Sequence, residues 1–362
     1  MKRCVMEIVF GPVHSRRFGR SLGVDLSPLV KQCNFDCVYC ELKGAKSVDS
    51  MRSIVPMSDI VESVKNALNI YQCDVLTLTA NGEPTLYPHL QELISTLKSI
   101  MPDSIKLLLL TNGSLLWKEQ VRNALEKLDI VKFSCDSLEE RAFKRVDRPH
   151  SSLSLARIKE GIASFCKSFK GEIVAEVLFV KGINDSITQA QDIAAFLADL
   201  PILRVDIGSI DRPPAYKVEA VSEERLAELA QCFYAYKHLQ VNLPKRTQSP
   251  NATKIDISYG ESAHKTSSCE ESYPPSQTYE NSKLYANAQP LQSPHSHAQD
   301  FKQTKSYTQE QLIGLLKRRP LSVADTHNMF DTQTLALLES LHQKGGVKLC
   351  NVGLDTFYQV VE

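Results

Sequence analysis

Strand-like and helix-like segments alternate over residues 1–247 of this 362-residue chain, and this alternation constrains the fold more than any other feature. Six short apolar runs have the length of buried strands. They are Gly23–Leu26, Val75–Thr79, Ile105–Leu110, Ile130–Ser134, Ile173–Val180 and Arg204–Ile207. Segments with helical periodicity follow them, at residues 59–71, 88–100, 117–127, 154–168, 188–199 and 222–236. The alternation predicts a parallel α/β sheet with helices outside, and leaves open whether the sheet is a barrel.

Composition narrows the class of protein. The 42 basic residues balance the 42 acidic ones, so no global field would draw the chain to nucleic acid or anionic lipid. No apolar run approaches the roughly 18 residues of a membrane span. Ten cysteines without an export signal indicate a reducing compartment. We therefore expect a cytoplasmic protein with no membrane span.

The composition changes after residue 247. Residues 248–306 contain eleven Ser and five Pro but only four Ile or Leu, and no Val. Such a stretch cannot bury enough apolar surface to offset its ordering entropy, which predicts a disordered linker. Residues 307–362 regain helical periodicity, with Thr308, Ser322 and Asp331 as N-cap residues of three helices and a hairpin at the end. This order resembles a small winged-helix domain.

The densest chemical signal is a loop after the first predicted strand, with three cysteines at positions 33, 37 and 40. Three thiolates so close together suit an iron–sulfur site and leave one metal position free. Structural zinc normally uses four ligands with paired C-x2-C spacings, and a disulfide requires a secreted chain. Zinc and a disulfide remain the alternatives to iron and sulfur.

Short polar residues follow the next three predicted strands. They are Asn81, Gly82 and Glu83, then Asn112, then Ser134 and Asp136. A glycine turn beside a carboxylate can bind an ammonium group, and short polar side chains can bind hydroxyls or a carboxylate. The same residue types also serve in ordinary turns and helix caps. Lys181 is either a further active-site candidate or a surface lysine. Arg16, Arg17 and Arg20 are either a clamp for an anion or a solvated charge run.

The spacing C-x3-C-x2-C, together with Asn81-Gly82-Glu83-Pro84, resembles the motifs of the radical S-adenosylmethionine (SAM) enzymes. The resemblance implies a (βα)6 partial TIM-type barrel in which Cys33, Cys37 and Cys40 hold three irons of a [4Fe-4S] cluster. The fourth iron would bind SAM, which is cleaved reductively to a 5′-deoxyadenosyl radical that abstracts hydrogen from a substrate. It also implies an electron donor such as flavodoxin or ferredoxin.

The resemblance also implies roles for the other candidates. Asn81, Gly82 and Glu83 would bind the SAM amino group. Asn112, Ser134 and Asp136 would contact the ribose or carboxylate, and Tyr39 would lie against adenine.

Segments 145–150, 179–185 and 210–215 extend the resemblance to the subgroup named for the wyosine-tRNA synthetases, particularly its uncharacterised bacterial members. True wyosine synthetases carry a second cluster on additional N-terminal cysteines. Here only Cys4 precedes the cluster loop, so we do not expect formation of the wyosine ring.

We expect a radical SAM enzyme acting on an unidentified substrate, with a tRNA or a protein among the candidates. The alternatives are a tRNA-modifying enzyme related to wyosine synthesis and an iron–sulfur regulator that binds DNA. Residues 308–362 contain five basic and six acidic residues, a net charge of −1, which argues against DNA. We therefore interpret this tail as a module for a partner or for substrate delivery.

Overall fold

The computed structural model describes most of the chain outside the predicted linker. The described residues are 8–15, 17–243, 306–353 and 355–361. Apart from Ser306, the predicted linker lies outside them. The described parts of residues 1–248 and 304–362 belong to one compact unit. The division of the chain into three domains stays a prediction.

An eight-stranded sheet runs through the first part of the chain in sequence order. Its strands are β1 (Val9–Ser15), β2 (Gly19–Asp25), β3 (Val75–Thr79), β4 (Lys106–Thr111), β5 (Ile130–Ser134), β6 (Glu172–Phe179), β7 (Arg204–Ser209) and β8 (Val241–Asn242). β1 is antiparallel to β2, and all later neighbours are parallel. The six predicted strands correspond to β2–β7, which confirms the parallel α/β fold. The pattern missed β1, which Gly11 and Pro12 interrupt, and the two-residue β8.

Helices pack on the outer face of the sheet. They are α1 (Met57–Ile70), α2 (Leu90–Ile100), α3 (Glu119–Leu125), α4 (Glu140–Val146), α5 (Leu155–Ser168), α6 (Ile187–Ala198) and α7 (Glu223–Tyr234). Ile60 and Val64 of α1 share one fully buried core with Leu76 and Leu78 of β3. Because strand side chains alternate in direction, the residues between these leucines face the interior of the partial barrel. No helix among the described residues is long and apolar enough to span a bilayer.

The barrel interior is apolar at one end and polar further along. A small separate cluster lies toward the amino ends of the strands, formed by Val75, Leu108, Ile130 and Val174. Beyond it, Thr77, Lys132 and Glu176 line a cavity of about 520 Å³. The cavity extends toward the loops at the carboxyl ends of the strands, where sites in parallel barrels are found.

The tail forms the predicted three helices and hairpin. Its elements are α8 (Gln309–Arg318), β9 (Leu321–Ser322), α9 (Val323–Met329), α10 (Thr332–Gln343), β10 (Val347–Val352) and β11 (Asp355–Val360). Thr308, Ser322 and Asp331 each accept a hydrogen bond from the backbone N–H three residues later, which confirms the predicted caps. The short β9 adds a third strand to the hairpin.

Phe10 of β1 connects the barrel to the tail. Its side chain packs against the apolar core of the tail, which includes Leu312 and Phe330. Gly23 on the neighbouring strand makes room for the ring, because a Cβ at that position would lie 2.1 Å from Phe10 Cζ. The tail therefore packs against the edge of the barrel, with Phe10 contributed by the barrel and the apolar core residues contributed by the tail.

We expect Phe10→Ala to loosen the tail while the barrel stays folded. The ring is only partly buried, so the loss in free energy of unfolding should be below about 3 kcal/mol. Hydrogen exchange should accelerate in α9, which contacts β1, and remain unchanged in α5. Leu349→Ala removes an exposed side chain and is the control. Equal exchange in α9 for Phe10→Ala and wild type would contradict this packing.

Candidate active site

The three predicted cluster ligands lie in the loop between β2 and α1. Cys33, Cys37 and Cys40 are half-buried, and none forms a disulfide. Burial raises the pKa of all three thiols, and at Cys37 the charge of Asp147 adds to this rise, followed by those of Cys33 and Cys40. Metal binding replaces the proton of a thiol, so these groups suit a metal more than free thiolate chemistry.

The turn after β3 fixes the start of the cysteine loop. Gln32 N donates to Asn81 O at 2.8 Å, and Glu83 N donates back to Gln32 O at 3.0 Å. Gly82 lies between these bonds with φ of +143°. A Cβ on Gly82 would be 1.9 Å from Gln32 O, so only glycine allows this approach. The residue next to Cys33 is thereby held against the Asn81–Glu83 turn.

The last residue of α4, the segment after it and the segment after β7 hold the rest of the loop. The bonds run from Val38 N to Val146 O (2.9 Å), from Asp36 N to Asp147 O (3.0 Å), from His150 N to Asn34 O (2.8 Å) and from Ala215 N to Cys40 O (2.9 Å). Arg148 adopts a left-handed φ of 46°, which is unusual for a residue with a side chain. Backbone contacts on several sides therefore fix the cysteines.

Glu83 is a densely hydrogen-bonded side chain of the site. It is 1 % exposed. Its carboxylate accepts bonds from Thr85 N (3.0 Å), Thr85 Oγ1 (2.6 Å), Thr111 Oγ1 (2.6 Å) and Asn112 N (2.7 Å). Burial raises its pKa, and these bonds oppose the rise. Its structural effect is to fix the turn and to position Asn112.

Asn112 connects this turn to the cysteine loop. Its Nδ2 donates to Asn34 Oδ1 at 2.8 Å and lies 3.7 Å from Cys33 Sγ. Asn34 is buried and donates to Ser114 Oγ at 2.7 Å. An amide directed at a ligand sulfur is one of the contacts by which proteins tune iron–sulfur sites.

Two buried carboxyl groups lie beside the cysteines. Asp136 accepts from Tyr39 Oη at 2.5 Å and from Leu178 N at 2.7 Å. Asp147 accepts from the Cys37 thiol at 3.5 Å. Burial raises the pKa of both carboxyls, and the Asp136 charge further raises that of Asp147. The neutral acids are thus favoured at this edge of the barrel.

The residues predicted to bind the cluster and SAM lie at the carboxyl-end edge of the sheet, in or beside two cavities. Tyr39, Cys40 and Asn81 line the 520 Å³ cavity. Asn112, Ser134 and Asp136 line a second, much smaller pocket. The Tyr39 hydroxyl connects the two through its bond to Asp136. Cys33, Cys37, Gly82 and Glu83 lie next to these cavities and shape their walls.

The remaining candidates lie elsewhere. Lys181 is exposed and pairs with Glu219 at 2.6 Å, so it is a surface lysine. Arg17 points into the barrel interior, where it contacts Glu176 at 3.1 Å and Asp206 at 3.2 Å. Arg20 forms a surface pair with Asp74 at 2.9 Å, and Arg16 lies outside the described residues.

Sequence reasoning missed several residues around the cysteines. They are Asn34, Asp36, Asp147 and Arg212. Asp36 binds Lys31 Nζ at 2.9 Å and accepts a short hydrogen bond from Tyr216. Asp147 and Arg212 belong to the segments 145–150 and 210–215, which carried the family resemblance. Residue spacing alone did not assign these segments to a site.

The donor set fits an iron–sulfur cluster. Within the described ranges, no group of three His, Cys, Asp or Glu side chains converges on the position of a single metal ion. A cluster does not require such convergence, because each of its cysteines binds a different iron. Three unpaired thiols on one tightly held loop therefore suit a cluster.

Comparison with known proteins identifies the family. A sequence model described as the radical SAM superfamily matches residues 27–194. A UPF0026 protein of Helicobacter pylori is 50% identical over 242 residues, which cover 66% of this chain and 77% of the relative. The chain belongs to the radical SAM superfamily. A UPF0026 protein of Methanocaldococcus jannaschii is 36% identical over 216 residues, covering 59% of this chain and 66% of the relative.

Among solved structures, that of TYW1 with a lysine-pyruvate adduct bound has a TM-score of 0.43 and 16% identity, covering 60% of this chain and 73% of that one. The match to residues 27–194 confirms the superfamily expected from the sequence, and the chain is a radical SAM enzyme. Members of this superfamily generally use a [4Fe-4S] cluster and SAM. The matched range contains all three loop cysteines and the Asn81–Glu83 turn.

We expect Gly82→Ala to displace the cysteine loop of this radical SAM enzyme. The added Cβ meets backbone at Gln32 rather than a movable side chain. Iron bound after anaerobic reconstitution should fall by more than half, and the melting temperature should also fall. Gly182→Ala is the matched control, because Gly182 also has a positive φ but a Cβ there meets nothing within 4 Å. Full iron content in Gly82→Ala would contradict the role of this contact.

We expect the buried Asp136 to make the cluster-free enzyme less stable as pH rises. Its folded-state pKa is raised, so above about pH 4 the unfolded chain loses this proton while the folded chain retains it. Stability relative to Asp136→Asn should therefore fall from pH 5 to pH 7 in urea unfolding. A difference that stays constant over this range would show that the group is not buried as described.

Proposed function

We propose that this radical SAM enzyme binds a [4Fe-4S] cluster through Cys33, Cys37 and Cys40 and cleaves SAM reductively to abstract hydrogen from a substrate in the 520 Å³ cavity. The observation that carries the proposal is the backbone clamp on the cysteine loop. Three unpaired thiols are held rigidly at the edge of a cavity large enough for a small ligand.

Cys33, Cys37 and Cys40 would hold the cluster, which would supply the electron for reductive cleavage of the SAM sulfonium C–S bond to methionine and a 5′-deoxyadenosyl radical. The residues of the chain bind and orient the reactants. The Asn112 amide, 3.7 Å from Cys33 Sγ, would stabilise negative charge on that sulfur.

The SAM site in this proposal is formed by the turn Asn81–Glu83, Tyr39, Asn112, Ser134 and Asp136. Glu83 acts mainly by fixing the turn, since its oxygens already accept four protein hydrogen bonds. Asn81, which lines the large cavity, is in position to contact the ligand directly. A separate electron donor, such as flavodoxin or ferredoxin, belongs to the proposal because reductive cleavage of SAM consumes an electron.

The test is anaerobic reconstitution with iron and sulfide, followed by reduction with SAM and chromatography for 5′-deoxyadenosine. Wild type should form the nucleoside, while Cys37→Ala should lose most bound cluster and all cleavage yet keep the circular dichroism of a folded barrel. Cys350→Ala, in strand β10 of the tail, is the control for loss of a thiol. Undiminished cleavage by Cys37→Ala would exclude the mechanism.

A further inference from the structure

Two arginines from distant parts of the chain lie on the carboxyl-end side of the large cavity. Arg212 follows β7, and Arg319 directly follows α8 of the tail. Both line the cavity, together with Cys40 and Leu315. They are close enough that the charge of Arg212 lowers the pKa of Arg319. Two positively charged guanidinium groups therefore lie close together at a partly buried position.

Arg212 has a protein partner. Its Nη1 contacts Glu41 Oε2 at 3.1 Å, and Glu41 directly follows the last cysteine of the loop. Ala215 N, in the same segment, donates to Cys40 O at 2.9 Å. The position of Arg212 is thus coupled to the cysteine loop.

Arg319 differs from Arg212, because its Nε has no hydrogen-bond partner in the described part of the chain. This Nε is also buried. Burial, and then the charge of Arg212, lower the pKa of Arg319 to about 10, so it stays protonated at neutral pH. A buried cationic donor without an acceptor is unfavourable in the folded protein.

The nearby carboxylates do not supply the acceptor that Arg319 Nε lacks. Glu41, Asp211 and Asp325 act on Arg319 through their charge. Glu41 pairs with Arg212, and Asp325 Oδ2 accepts the cap bond from Ser322 N. Asp211 is engaged in an interaction of its own. None of the three accepts a hydrogen bond from Arg319 Nε.

We propose that Arg212 and Arg319 recognise an oxyanion of the substrate, a carboxylate or a phosphate, at the carboxyl-end side of the cavity. The inference rests on the proposed function insofar as it takes the 520 Å³ cavity to be the substrate site. Guanidinium groups bind both oxyanions through paired N–H donors, and an arriving anion would supply the acceptor that Arg319 Nε lacks. The tail then contributes a binding residue, and the barrel alone forms an incomplete site.

The test is calorimetric titration of the full-length reconstituted enzyme with inorganic phosphate and, separately, with acetate, at constant ionic strength. Excess SAM is present throughout, so that the anions cannot report on the SAM site. Arg319→Gln should weaken binding of the preferred anion by about tenfold or more. Arg319→Lys keeps the charge but loses the paired donors, so its affinity for the anion should lie between those of wild type and Arg319→Gln. Lys317→Gln removes an exposed charge from α8 and should bind like wild type.

Preference for phosphate would identify a phosphorylated substrate and preference for acetate a carboxylic one, and either supports the site. No binding of either anion by wild type, or equal binding by Arg319→Gln and wild type, would overturn it. Calorimetry does not require SAM cleavage. Arginine-dependent anion binding without 5′-deoxyadenosine formation would therefore reject the proposed reaction alone, whereas cleavage without anion binding would reject this site alone.

Discussion

The close approach of Gly82 to the backbone of Gln32 is the contact on which the site depends. It allows two hydrogen bonds between the turn after β3 and the residue before Cys33, so the sheet directly sets the position of the first cysteine. Segments from after α4 and β7 then hold the remainder of the loop. A metal site binds more tightly when its ligands are in place before binding, because ordering a free loop would reduce the affinity. Rigid backbone contacts provide this order without using the cysteine side chains.

The same edge of the barrel concentrates groups that are unfavourable in the folded protein. Glu83, Asp136 and Asp147 are all buried, and burial raises the pKa of each. Arg148 has a left-handed backbone, and Arg319 has an unmatched buried donor. Proteins generally tolerate such features at functional sites, where the surrounding core offsets their cost. Here the extensive apolar core between sheet and helices provides that stability.

The sequence predicted the elements whose signals are local. The buried runs of β2–β7, the caps at Thr308, Ser322 and Asp331, and the position of the cysteine loop after a strand follow from patterns within a few residues. The edge strand β1 was missed because Gly11 and Pro12 interrupt its pattern, and β8 was missed because it has only two residues. Asp147 was missed because its proximity to Cys37 arises from a contact across 110 positions, which periodicity does not report. Arg17 was part of a suspected anion clamp, but its partners Glu176 and Asp206 lie on distant strands.

The tail shows how net charge can hide a specific cation. The net charge of −1 over residues 308–362 argued against DNA binding. A net charge does not report where individual charged side chains lie. Recognition of a small anion requires only one or two donors with the right burial and geometry, whatever the net charge. Arg319 has this burial because α8 ends at the cavity, and Phe10 packs the tail core against β1. A segment whose order of elements resembles a winged helix can therefore serve the barrel as part of its cavity wall, and in our proposal its role follows from where it packs rather than from its fold.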